Sequence, residues 1–115
     1  MPICNLDRHI ISEDDVMTSV TVVRIYLTEG QNQLDKIMTS LHDTHQVMGV
    51  TAFRGIAGFG QSGKMHSSNL LDMSLDLPIV LEFFDEPEKI ELIVKELENT
   101  QKPGHILTWP AQMNR

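Results

Sequence analysis

The hydrophobic pattern of this chain switches between the period of a strand and the period of a helix, and the order of the switches predicts a fold. Residues 18–28 (TSVTVVRIYLT) are rich in β-branched side chains and read as a strand. Val23, Ile25 and Leu27 share one face of it, and Val20, Val22, Arg24 and Tyr26 share the other. Glu29-Gly30 breaks the run. Leu34, Ile37, Met38, Leu41, His45 and Met48 then recur at helical spacing, which predicts an amphipathic helix over residues 33–48, closed at Gly49. Residues 50–60 (VTAFRGIAGFG) return to strand character. Their glycines, Gly55, Gly58 and Gly60, mark bends or the close approach of another backbone. Residues 61–76 form a long polar stretch, and a loop of that length in a small domain usually carries function. Residues 77–84 (LPIVLEFF) predict a third strand, with Pro78 marking an unpaired N–H position near its start. Asp85-Glu86-Pro87-Glu88 is a helix start with an acidic cap, proline in the first turn and Glu88 placed to cap in return. Ile90, Ile93, Val94 and Leu97 carry that helix to Asn99 or Thr100. After a turn at Lys102-Pro103-Gly104, residues 105–109 (HILTW) predict a short last strand stopped by Pro110.

The order β-α-β-β-α-β predicts an α+β, ferredoxin-like sandwich, with a four-stranded antiparallel sheet and both helices on one face. Residues 1–16 read as a polar arm and residues 17–115 as the domain. The alternation leaves apolar residues on both faces. Val20 and Val22 oppose the Val23 face of strand one, and Val80 and Phe84 oppose Ile79, Leu81 and Phe83 on strand three. Each Val or Phe taken out of water contributes about 1.5–3 kcal/mol, so the second face is expected to be covered by sister copies.

Composition narrows the function. The 115 residues suit one domain, and no apolar run approaches the length of a membrane helix. The start of the chain lacks the basic-then-apolar pattern of a secretory signal. A single cysteine, Cys4, fits a reducing compartment, so the expected location is cytoplasmic, without membrane insertion. A net charge of −7 with no basic stripe argues against nucleic acid as a partner. No G-x-S-x-G, phosphate-binding P-loop or H-E-x-x-H pattern is present, and the chain is read as not an enzyme.

The segment Gly49-Val50-Thr51-Ala52-Phe53-Arg54-Gly55-Ile56-Ala57-Gly58-Phe59-Gly60, running on to Lys64 and His66, resembles the second strand and T-loop base of PII (GlnB-type) proteins. The match is closer to a PII-like family long classed as a domain of unknown function. Its blocks stand here as Arg24-Ile25-Tyr26-Leu27-Thr28-Glu29, Arg54-Gly55-Ile56-Ala57-Gly58-Phe59-Gly60 and Ser74-Leu75-Asp76-Leu77-Pro78. The resemblance spans residues 20–110. It implies a homotrimer with effector clefts between subunits beside a T-loop-like loop. It also implies AMP, ADP or ATP as first ligands to test, no required cofactor, and a signalling role through a partner protein such as a transporter or enzyme. The chain departs from PII at three points. Gln101-Lys102-Pro103-Gly104-His105 replaces T-G-x-x-G-D-G-K, which counts against PII-type ATP affinity. Ser62 falls where PII carries a glutamine that helps bind 2-oxoglutarate, and no loop tyrosine is available for uridylylation.

The candidate ligand residues are therefore Arg24, Arg54, Gly55, Gly58, Phe59, Gly60, Lys64, His66 and Glu82. Glycines allow backbone N–H groups to approach a phosphate; the alternative is a bulge that bends the strand. Arg24 and Arg54 are both expected on the face away from the helices, with Glu82 in the same phase. One arginine would reach a ligand phosphate, or the charges would form an Arg–Glu network within the oligomer interface. Lys64 and His66 are loop groups that would touch a phosphate or a partner. Two other functions are open to this fold. Divalent metal binding or tolerance would use His42, His45 and His66. An acylphosphatase-like activity would need an arginine in the loop after strand one, where this chain has none.

Overall fold

A computed structural model describes residues 17–27, 31–59, 66–67, 78–101 and 104–115. The elements are β1 (Thr18–Leu27), α1 (Gln31–Thr39) with a π-helical turn at Ser40–Thr44, and β2 (Gly49–Arg54). They continue with β3 (Ala57–Gly58), β4 (His66–Ser67), β5 (Ile79–Asp85), α2 (Pro87–Leu97) and β6 (Ile106–Met113). Four strands form one sheet in the order β2-β5-β1-β6, every neighbouring pair antiparallel, and β3 pairs with β4 in a separate two-stranded ladder. The predicted ferredoxin-like α+β fold is thus observed. The arm at residues 1–16 lies outside the described residues.

The core sits where the alternation placed it. Val23, Ile25 and Leu27 from β1 and Ile79, Leu81 and Phe83 from β5 are buried against Leu34, Ile37 and Leu41 of the first helical segment and Ile90 and Ile93 of α2. Both helices therefore cover one side of the sheet. Asp85 is the buried charge at the end of β5, and its carboxylate is fully used. It accepts the N–H groups of Met48 (3.1 Å) and Glu86 (2.7 Å) and pairs with Lys89 Nζ at 3.0 Å. Glu86, not Asp85, is the residue preceding α2, Pro87 opens the helix, and no side-chain capping bond forms there.

Four local expectations are corrected. The first helix is shorter than its apolar stripe. It loosens into a π turn, where the His45 N–H reaches the Ser40 carbonyl at 3.0 Å, and Met48 at its predicted end is exposed. The left-handed residue is Gln46 (φ 50°) rather than Gly49. Gly49 instead begins β2, and its lack of a side chain serves packing: a Cβ there would lie 2.7 Å from Phe84 Cε1. The second predicted strand divides at Gly55-Ile56 into β2 and β3. Finally, β6 runs through Pro110 to Met113. The Tyr26 N–H bonds to the His105 carbonyl (2.9 Å), so alternate residues 105, 107 and 109 turn their backbone groups toward β1. Pro110, in the other phase, points its nitrogen to the open edge, where no ladder bond is lost.

Candidate functional site

Cross-strand partners share a face, so the register maps the side of the sheet opposite the helices row by row. One row runs Phe53–Val80–Tyr26, the next Thr51–Glu82–Arg24–Leu107, and the next Gly49–Phe84–Val22–Trp109. Val20 and Ala111 follow, then Thr18 and Met113. No described helix or strand packs on these rows; Phe53 and Leu107 remain 48% and 47% exposed, while Val20, in the row toward the other end, is only 3% exposed.

Arg24 and Glu82 sit at the middle of that face on its two central strands. Arg24 donates both Nε (3.1 Å) and Nη2 (2.5 Å) to Glu82 Oε1, and its guanidinium carbon lies 5.6 Å from the centroid of the Trp109 ring. The hydrogen bond to Glu82 first, and that to Tyr26 second, raise the Arg24 pKa above its ordinary value, so this side chain stays a cation. The predicted phase of Arg24 and Glu82 is correct. That of Arg54 is not. Arg54 pairs with buried Ile79, in phase with Val50, which packs against the core. It therefore lies on the helix side of the sheet, exposed at the end of β2. The two arginines are on opposite faces and do not converge.

The glycines of the loop stem answer to a proline. Gly55 donates its N–H to the Pro78 carbonyl at 2.7 Å. A Cβ at Gly55 would lie 2.9 Å from Pro78 Cγ, and one at Gly58 would lie 3.2 Å from the same atom. The Pro78 ring thus rests in a notch that only these two glycines leave open, joining the chain just before and just after the long loop. Gly58 pairs with His66 across the β3–β4 ladder, while Ile56 (80%) and Phe59 (68%) stand exposed beside it. Arg54, Gly55, Gly58, Phe59 and the His66 backbone therefore gather at one end of the sheet. Gly60 and Lys64 lie outside the described residues. The sequence signal for the notch was present in the pairing of Gly55 and Gly58 with Pro78, but only the fold brings them together.

An open depression of about 420 Å³ lies at the other end of β2, lined by His42, Gln46, Val47, Met48, Gly49 and Val50. None of the nominated ligand residues borders it. His42 bonds to Asp43 (2.7 Å) and His45 to Glu96 (3.3 Å), and among the described residues no three metal-ligating side chains converge.

Residues 20–113 match the protein family DUF190, described as "Uncharacterized ACR, COG1993". The chain belongs to this family. A UPF0166 protein of Aquifex aeolicus is 32% identical over 85 residues, covering 74% of this chain and 86% of that protein. The UPF0166 protein MJ1524 of Methanocaldococcus jannaschii is 26% identical over 95 residues, covering 79% and 87%. Among solved structures, CPII from Thiomonas intermedia K12, bound to ADP and bicarbonate, superposes with a TM-score of 0.61 at 19% identity, covering 86% of this chain and 92% of that one. The PII-like protein TTHA0516 from Thermus thermophilus gives 0.56 at 16% identity, covering 87% and 92%. This DUF190 chain thus shares the ferredoxin-like fold of those PII-like structures. No helix among its described residues is long and apolar enough to cross a membrane.

Proposed function

We propose that this PII-like protein is a cytoplasmic, non-catalytic regulator. In this reading it assembles as a homotrimer through the open sheet face and binds an adenine nucleotide in the clefts between copies. Residues 61–76 then present the bound state to a partner protein. The observation that carries the reading is the position of the loop stem. The Gly55–Pro78–Gly58 notch stands at the end of the sheet, just beyond Phe53 in the outermost row of the uncovered apolar face. If a second copy covers that face, the stem forms the rim of the resulting crevice. Backbone N–H groups of the stem then supply anion donors, which suits a phosphate ester. The relatives support the choice of ligand: CPII of Thiomonas intermedia K12 has been seen with ADP, AMP and bicarbonate. Regulation follows if nucleotide binds one loop state more tightly than another.

Titration calorimetry with AMP, ADP and ATP, each with and without bicarbonate, tests the proposal. Saturable binding of at least one nucleotide is the expected result. No heat at millimolar nucleotide overturns it. Among the described residues no ligand cluster favours the metal-binding alternative.

A further inference from the structure

The open face has a charge pattern that points to a specific kind of self-association. The whole chain carries a net charge of −7. Its helical side is acidic, with Asp35, Asp43, Glu86, Glu88, Glu91, Glu96 and Glu98 set against Lys36, Lys89 and Lys95. The open face is different. From Thr18 to Met113, the described positions in its rows carry two charges, Arg24 and Glu82, and these cancel; at the Thr18 end Arg115 adds one cation, its Nε 3.4 Å from Thr18 Oγ1. A second copy of the same acidic chain can approach this side without net repulsion, so the occupant it fits best is another copy of itself.

The pair is also only half used. Both donor contacts from Arg24 go to Oε1 of Glu82. Among the described residues nothing bonds to Glu82 Oε2, and Arg24, with five N–H groups, has donors beyond those given to Glu82 and Tyr26. A carboxylate oxygen and spare guanidinium N–H groups are therefore left at the centre of a largely apolar face. Such a motif complements itself. Buried in an interface, a remaining acceptor and donor must find partners, and the nearest available ones are those of the neighbouring copy.

We infer that Arg24 and Glu82 bond across the subunit boundary as well as within the chain, and that this network fixes the register in which copies assemble. The inference rests on the proposed covering of the open face. The apolar rows favour association in many alignments, since apolar contact is non-directional. Only alignments that bring the charged pairs of neighbouring copies together satisfy the remaining donors and acceptor of each pair once they are buried. That is the use for which buried ionic groups in an interface are best attested.

The test uses charge reversal on the full chain, followed by native mass spectrometry and sedimentation. Arg24→Glu places two carboxylates at the centre of the face, and Glu82→Arg places two guanidinium groups there. Each is expected to weaken self-association by on the order of a hundredfold or more, and mixing the two variants is expected to restore it in part, since a ring of three keeps one boundary between like-charged copies. Because either single change also breaks the internal pair, the double variant Arg24→Glu/Glu82→Arg is the decisive one. It keeps an internal pair with its polarity swapped, and circular dichroism confirms that it is folded. It should assemble with itself yet fail to exchange subunits with the unmodified chain, since mixed contacts set like charges together. If folded double variant and unmodified chain exchange to a statistical mixture, the cross-boundary network is overturned while the oligomer stands. An unmodified chain that sediments as a monomer overturns the covered face and this inference with it.

Discussion

Replacing Gly55 by alanine tests whether its absent side chain is required by Pro78. The added Cβ would sit 2.9 Å from Pro78 Cγ and 3.4 Å from the Pro78 carbonyl oxygen. Carbon atoms in contact settle near 3.5–4.0 Å, so the ring must retreat by roughly 0.6 Å or more. It has little freedom to do so. A proline ring is rigid, and the same residue's carbonyl holds the Gly55 N–H at 2.7 Å. Overpacking of this kind costs about 1–3 kcal/mol. Gly55 is not among the residues with positive φ, so alanine meets no backbone strain there and gains about 0.4–1 kcal/mol from a less flexible unfolded chain. The net loss is therefore between about 0 and about 2.6 kcal/mol, read as a lower urea midpoint at unchanged slope. Pro78→Ala removes the obstructing Cγ. In a double-mutant cycle the two changes should couple favourably by about 1 kcal/mol. A cycle with zero coupling refutes the claim that the notch is a steric fit.

Asp85→Ala leaves two backbone N–H groups and Lys89 without their acceptor, and should cost about 3 kcal/mol in chemical denaturation. Gly49→Ala should push the Phe84 ring outward, lowering stability by about 1–3 kcal/mol and changing the surface presented beside Val22 and Trp109. Pro110→Thr restores a donor on the open edge of β6; thermal stability should change little, but light scattering should detect more self-association through the edge. The hydrogen bond to Glu82 raises the Arg24 pKa above its already high ordinary value, so its pairing is lost only in strong alkali, and the stability difference caused by Arg24→Met should be constant from about pH 6 to pH 10 as far as the arginine is concerned.

Much of the fold was legible from the chain because strand and helix periods are local. The phase that set Val23, Ile25 and Leu27 against Val22, Arg24 and Tyr26 on β1 is the phase observed, and it placed Arg24 with Glu82 before any contact was known. The resemblance blocks likewise marked the residues that gather at the loop stem. Other features had no local signal. Whether Gly49 ends a helix or begins a strand depends on the Phe84 ring and the Asp85 carboxylate, each more than thirty residues away in the sequence. Pro110 reads as a strand breaker until the sheet order makes β6 an edge, where its missing donor faces outward. The face of Arg54 was fixed only when Val50 joined the core and set the phase of β2. Period and composition reside in neighbouring residues and act through their own backbone and solvent exposure. Register, edge position and steric notches arise from pairs distant along the chain, so they come into being only when the chain folds.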